Sequence, residues 1–261
     1  MEIDASYDIA ALREHQLKAV KALESLDKLC KENNIKYFLI AGSTLGAIRH
    51  SGFIPWDDDI DVGLLIDDYN RLKDIIGEAL PEEFEWKHTD VDLSFPTLTG
   101  RILEGEDQLI TVFPIVALSD SRLKAKTQWI IRKVFSQIYQ RKVHYINEED
   151  RHSLKGRLAH GVSLVLSLFF SKRFVLKLLR WNEIRFKNDN TRYCINIYSK
   201  YRMEKEKIKS DWINETILAP FEGGKYPIFK SYHEYLTHLY GNYMELPPEH
   251  KRRPEHLKWN N

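Results

Sequence analysis

The sequence predicts an α+β fold, a small mixed sheet with helices packed against it. Three observations carry this: a helix-spaced apolar pattern near the N-terminus, period-two alternation after it, and a mainly helical basic middle followed by further strand signals. With 261 residues, 43% hydrophobic and 12% aromatic, the chain has material for a buried core and is neither disordered nor collagen-like.

Each element follows from local pattern. Leu12, Leu17, Val20, Leu23, Leu26 and Leu29 recur at spacings near three and four, which predicts an amphipathic helix over 12–30 ending at Asn33-Asn34. IKYFLIA (35–41) reads as a short buried strand, followed by a Gly42-Ser43 break and a short helix over Thr44–His50. The turn SGFIP leads into WDDDIDVGLL, whose alternation from Asp57 to Val62 is strand-like and would put Asp57, Asp59 and Asp61 on one face. A helix over Asp67–Leu80 opens on Asp67/Asp68 as N-cap candidates and closes near Pro81. Strands are expected at 95–103 and 109–118, helices through 121–186, then a strand in TRYCINIYS. ILAPFEGGKYPIF predicts a hairpin turning at Gly223-Gly224, and a last helix spans 231–240.

The formal net charge of +1 conceals an uneven distribution. Residues 1–120 hold 11 basic against 24 acidic residues, 121–185 hold 15 against 4, and 186–261 hold 13 against 10. We therefore expect an acidic core over 1–120, a basic and mainly helical insertion over 121–186, and the rest of the core with a closing tail over 187–261. The two cysteines, Cys30 and Cys194, belong to no metal-binding pattern; one bridge is conceivable, but buried free thiols suit the chain better. The acidic N-terminus lacks the apolar core of a signal peptide, so a cytoplasmic protein is expected.

Chemistry concentrates in GSTLGAIRHSGFIPWDDDIDVG, residues 42–63. Four carboxylates in five positions repel one another unless a cation neutralises them. Side chains two apart on one strand face start roughly 7 Å apart and can converge on an ion or an ion pair. Oxygen-only ligation favours Mg²⁺ or Mn²⁺ over zinc, which makes Asp59 and Asp61 the expected ligands. The competing reading is a solvated acidic turn with Asp57 or Asp58 capping a neighbouring helix. Gly42 permits close backbone approach, and the amides at Ser43 and the helix start beyond it can hold a phosphate.

These residues resemble the nucleotidyltransferase fold shared with DNA polymerase β. More closely, IKYFLIAGSTLGAIRHSGFIPWDDDIDVGL (35–64) is similar to the signature of the LicD family of phosphotransferases, which includes the fukutin-related proteins. FEGGKYPI (221–228) and YLTHLYGNYMELPPEHKRRPEH (235–256) resemble the family's closing block. The resemblance implies transfer of a phospho-alcohol, typically phosphocholine from CDP-choline, onto a sugar of a cell-surface glycan, with CMP released. Glycerol- and ribitol-phosphate donors and teichoic-acid or lipopolysaccharide precursors fall in the same class. It further implies that Gly42, Ser43 and Thr44 hold donor phosphate, that Asp59 and Asp61 hold the metal, and that Arg49 faces the pyrophosphate. One departure stands out. Family members carry Asp-Ile-Phe-Pro-Leu-Asp on a later strand, where this chain has Thr111-Val112-Phe113-Pro114-Ile115-Val116. Asp57, Glu104 and Asp107 are the candidates to replace the missing third carboxylate, which elsewhere serves as ligand or general base. A catalytically altered homologue acting as a scaffold, or nucleotide transfer to a small molecule, are the alternative functions.

The remaining candidates each have two readings. Arg49 suits phosphate or pairs with an aspartate of its own loop; His50 binds substrate or is a local hydrogen-bonder. Trp56 is core or a stacking surface for choline. Arg252, Arg253 and His256 close over donor phosphates or form a solvated tail. Residues 151–181, apolar between basic flanks, fit either peripheral contact with the anionic inner face of a membrane, useful for a lipid-linked acceptor, or a subdomain helix with a solvated rim. The apolar run at 158–170 is too short to span a bilayer. No nucleic-acid motif accompanies the basic charge.

Overall fold

The computed structural model describes residues 8–143, 161 and 166–254. Its helices are α1 (Ile9–Glu32), α2 (Ala41–His50), α3 (Ile66–Ala79), α4 (Arg122–Lys142), α5 (Lys172–Ile184), α6 (Met203–Glu206), α7 (Ser210–Ile213) and α8 (Tyr232–Tyr240). Its strands are β1 (Phe38–Leu39), β2 (Ile60–Leu65), β3 (Glu85–Lys87), β4 (Gly100–Glu104), β5 (Asp107–Leu118), β6 (Tyr193–Asn196), β7 (Lys207–Lys209), β8 (Thr216–Phe221) and β9 (Gly224–Phe229). The α+β class is as expected. The chain forms two compact units, one of residues 1–86, 100–114 and 208–261, the other of 87–99 and 115–207.

In the first unit the strands run in the order β1-β2-β5-β4-β3. The β1–β2 pair is antiparallel, Phe38 opposite Gly63 and Leu39 opposite Val62. The β4–β5 hairpin pairs Arg101 with Thr111 and Glu104 with Asp107, with a register shift between Ile102 and Leu103. Helix α1 starts on Asp8, whose Oδ1 accepts from the amides of Ala10 and Ala11 at 2.9 and 3.1 Å. It buries Leu12, Ala19, Val20, Leu23, Leu26, Leu29 and Cys30, whereas Leu17, expected in the core, faces solvent. The buried stripe of the helix is thus rotated towards Ala19 and Cys30.

Five local expectations are corrected. No break occurs at Gly42-Ser43: α2 begins at Ala41 and contains both. Strand β1 is only two residues long, because the helix starts so early. Asp57–Asp59 lie before β2, which begins at Ile60, so the acidic alternation is mostly turn rather than strand; the Asp57 amide closes that turn on the Ile54 carbonyl at 2.8 Å. Helix α3 starts on Leu65 with no side-chain cap, leaving Asp67 and Asp68 in its first turn, where they favour the positive end of the helix dipole. The β8–β9 hairpin forms as expected, but Phe221 opposes Gly224, so Glu222 and Gly223 are its turn residues. Both have positive φ, +49° and +83°, the conformation a two-residue hairpin turn of this hand requires.

In the second unit, α4 and α5 pack around Leu98, Ile138, Tyr139, Val175, Leu176 and Leu179. Gln128 and Asn182 cross-brace the helices: each side-chain amide donates to the other's backbone carbonyl, at 3.1 and 3.0 Å. Arg180 donates to Glu183 at 2.6 Å and to Thr89 Oγ1 at 2.7 Å, and the buried Glu183 also accepts from the Tyr198 hydroxyl. Strand β6 pairs antiparallel with the second half of β5, Ile115 opposite Asn196. Cys30 and Cys194 are both free and buried. Among the described residues, no helix is long and apolar enough to cross a membrane.

Candidate active site

The acidic loop between α2 and β2 lies in the first unit. Asp57, Asp58 and Asp59 each offer one carboxylate oxygen, and these oxygens lie within 4.8 Å of one another. Asp58 and Asp59 are buried, 1% and 7% exposed, while Asp57 is half-buried. Of the expected pair Asp59 and Asp61, Asp59 belongs to this three-residue group, which also brings in Asp57 and Asp58 from the turn before β2. Asp61, at the start of β2, is placed by its amide, which donates to Ser43 Oγ at 2.8 Å.

That bond joins the acidic loop to the beginning of α2. Ser43 accepts through its oxygen, so its own hydroxyl proton is left to another acceptor. A Cβ on Gly42 would stand 2.9 Å from Asp57 Oδ2, so glycine is what lets the helix approach the carboxylate this closely. Thr44, expected to touch substrate, is fully buried and its hydroxyl donates to the Leu39 carbonyl at 2.7 Å. Its side chain anchors α2 to β1.

Thr111 is the position at which the resemblance leads one to expect an acid. Its hydroxyl donates to Asp59 Oδ2 at 3.2 Å, while Gln108 Nε2 donates to the same oxygen at 3.1 Å and to Thr111 Oγ1 at 3.0 Å. Gln108 and Thr111 thus both donate, as neutral groups, to the Asp59 carboxylate. Of the candidate substitutes, Glu104 pairs with Lys18 at 2.8 Å and Asp57 belongs to the acidic cluster. Asp107 sits opposite Glu104 at the hairpin end.

The cluster is held from behind by α1. Gln16 Nε2 donates to the Asp57 carbonyl at 2.8 Å, and His15 Nε2 lies 2.7 Å from the Asp58 carbonyl. A carbonyl only accepts, so Nε2 carries the His15 proton. Arg13 donates to Gln16 Oε1 at 3.1 Å and to Glu222 at 2.6 Å. Glu222, at the hairpin tip, also accepts the Phe53 amide at 3.1 Å. Burial works against the Glu222 carboxylate, but Arg13 and the Phe53 amide outweigh it and hold its pKa below the usual range. His15, Gln16, Gln108 and Glu222 were not singled out in the sequence. The signal for His15 and Gln16 was present, since both are polar residues on the core-facing stripe of α1, between Leu12 and Ala19.

A cationic group gathers at the other end of α2. Arg49 donates to the Tyr243 carbonyl at 2.8 Å and, through Nε, to His50 Nε2 at 2.9 Å. His50 therefore accepts at Nε2 and is neutral with its proton on Nδ1. Burial, and then the Arg49 charge, lower the His50 pKa; burial also lowers that of Arg49, and Arg252 adds to the effect. The Arg252 guanidinium lies 5.8 Å over the half-exposed Trp56 ring and donates to the Pro247 carbonyl at 2.8 Å. Trp56 is thus a partly exposed stacking surface with a cation already beside it. Arg253 is exposed, and His256 lies outside the described residues.

Residues 34–103 match the family described as LicD/FKTN/FKRP, nucleotidyltransferase domain. The chain is 28% identical over 264 residues to the lipopolysaccharide cholinephosphotransferase LicD of Haemophilus influenzae, covering 95% of this chain and 96% of that protein. It is 36% identical over 69 residues to the human ribitol 5-phosphate transferase FKRP, which covers 26% of this chain and 12% of that protein. An uncharacterized Rickettsia typhi protein, RT0683, is 35% identical over 75 residues, covering 29% of this chain and 24% of its own length. Residues 34–103 thus match the LicD/FKTN/FKRP nucleotidyltransferase domain, and along nearly its whole length the chain is similar to a LicD cholinephosphotransferase.

Proposed function

We propose that this LicD-like transferase moves a phospho-alcohol, phosphocholine in the first instance, from a CDP-activated donor to a sugar hydroxyl of a cell-surface glycan precursor. The observation that carries the reading is the convergence of Asp57, Asp58 and Asp59 against Gly42 in the first turn of α2. An all-oxygen set of carboxylates suits Mg²⁺ or Mn²⁺. Asp57 and Asp59 are the ligands this geometry favours, with Asp58 beside them and Asp61 retained as a further carboxylate at the head of β2. When bound, the cation would neutralise charge on the donor's phosphoryl oxygens.

The residues of the chain then have separable tasks. Ser43 has a hydroxyl proton to give a phosphate oxygen, and Arg49 with Arg252 supplies positive charge at the far end of α2. In the transfer, the sugar oxygen bonds to the phosphorus that carries the alcohol, the bridging P–O bond breaks, and CMP leaves with that oxygen. A carboxylate of the acidic group not engaged by the cation would take the proton of the attacking hydroxyl. Positioning and charge neutralisation are most of what phosphoryl transfer asks of a protein.

The test is incubation with CDP-choline, CDP-glycerol or CDP-ribitol, Mg²⁺ and an acceptor glycan, following CMP. We expect CMP from one donor, abolished by EDTA and by Asp59→Asn with the fold retained by circular dichroism. No CMP from any donor would refute the reading. A second reading, a scaffold that binds nucleotide without turnover, rests on Thr111 replacing an acid; donor binding that needs no metal and releases no CMP would support it.

A further inference from the structure

We propose that the face of the second unit carrying the outer side of α5 lies on an anionic lipid bilayer. Phe174, Lys177, Trp181 and Ile184 follow one another at spacings of three and four, so they form a single stripe along α5, and all are exposed. Phe174 and Trp181 are each 48% exposed and Ile184 41%. Just before the helix, Leu168 and Phe169 are 79% and 76% exposed, while their neighbours Leu166 and Phe170 pack inward against the helical core. Large apolar side chains are placed outward here in sequence-adjacent and helix-adjacent positions.

Charge selects the occupant. From Arg151 to Asn182 the sequence holds no aspartate or glutamate, and α4 has none either. The single acid of α5, Glu183, is buried and held by Arg180 at 2.6 Å. The outer face of α5 therefore offers Arg173 and Lys177 among the apolar residues, with no exposed acid on the helix to oppose an anionic surface. A guanidinium, Arg185, lies 4.8 Å over the Trp181 ring, which keeps a cation at the level of the aromatic. Interleaved aromatic, aliphatic and basic side chains on one helix face are what an interfacial helix needs: rings and chains enter the headgroup boundary and cations remain among lipid phosphates. No helix of the described residues is suited to crossing, so the contact is with the surface. Lipid is favoured over an acidic protein groove because apolar, aromatic and basic side chains interleave along one helix face with no exposed acid on α4 or α5.

The test is co-sedimentation of the full chain with vesicles of phosphatidylcholine alone and of phosphatidylcholine with phosphatidylglycerol. We expect binding to the anionic vesicles only, weakening as salt rises. Arg173→Glu with Lys177→Glu should reduce the partition coefficient at least about 25-fold, taking roughly five-fold per basic residue removed. Phe174→Ser with Trp181→Ser should also release the protein at low salt. These residues lie outside the candidate active site, so CMP release with a soluble acceptor should be unchanged. Equal binding to both vesicle types, or none to either, overturns the proposal. So does a dimer, seen by light scattering, that dissociates on Trp181→Ser: the face would then belong to a second copy.

Discussion

Replacing Gly42 by alanine should separate the shape of the site from the stability of the helix that carries it. The new Cβ would lie 2.9 Å from Asp57 Oδ2, where ordinary contact begins at 3.4 Å. The carboxylate must therefore swing away by roughly 0.5 Å. The obstacle is the end of a side chain and not backbone, so it yields at little cost. Alanine, for its part, is favoured over glycine in a helix by up to about 1 kcal/mol. The net expectation is a melting temperature unchanged or raised by about 2–4 °C. The acid cluster, in contrast, loses its arrangement; since displacement by 1 Å can cost on the order of 100-fold in rate, about tenfold is expected here. Calorimetric titration with Mn²⁺ gives a readout independent of turnover, and its affinity should fall in parallel. Gly46→Ala is the contrasting variant, because its Cβ would meet the Gly52 carbonyl at 2.4 Å. Backbone cannot swing aside, so about 1–3 kcal/mol of stability is lost. A Gly42→Ala protein with wild-type cation affinity and rate would remove Asp57 from the machinery.

Three further outcomes are expected. Thr111→Val keeps the shape of the side chain but removes one of two donors to Asp59 Oδ2; about 1 kcal/mol of stability should be lost in urea titrations, and Thr111→Asp should be destabilised unless Mg²⁺ is added. His50, held neutral by burial and by Arg49, should titrate by NMR below the ordinary 6.5. Its contribution to stability is complete above that value and is lost as pH falls through the folded-state midpoint, so wild type should lose more urea resistance on acidification than His50→Gln. Arg180→Met removes the partner of a buried carboxylate, Glu183, and should cost about 3 kcal/mol; a loss below about 1 kcal/mol by chemical denaturation would show that Tyr198 suffices.

Helices were legible where periodicity was long. Helix α1 was found within three residues at either end, since its apolar spacing persists over five turns, and α8 within one. Short elements were misread for a physical reason. The acids of 57–61 alternate with apolar residues only at Ile60, and period two over so few positions cannot be told from a turn whose side chains point where the loop closure puts them. The Gly42-Ser43 pair looked like a helix breaker, yet glycine there answers to the approach of Asp57, a contact made across the fold. Gln108 and Thr111 lie on one strand three residues apart and become partners of Asp59 only through sheet order. The Asp-rich loop itself was readable, because like charges so close together demand some compensating chemistry; which of the acids converge was not.

The staple formed by Arg13 and Glu222 joins positions 209 residues apart, and this sets a timetable. During synthesis from the N-terminus, the acidic loop exists long before the hairpin tip that braces Phe53 and, through Arg13 and Gln16, the Asp57 carbonyl. Tyr235 and Tyr243, which contact the two ends of α2, arrive later still. Until those residues emerge, the long-range contacts that brace the loop and α2 from outside are missing, so this part of the fold is completed by non-local contacts. A chain lacking the hairpin would keep residues 34–103 and lose the Glu222 staple, so the family match and the bracing of the acidic loop are separable properties of the fold.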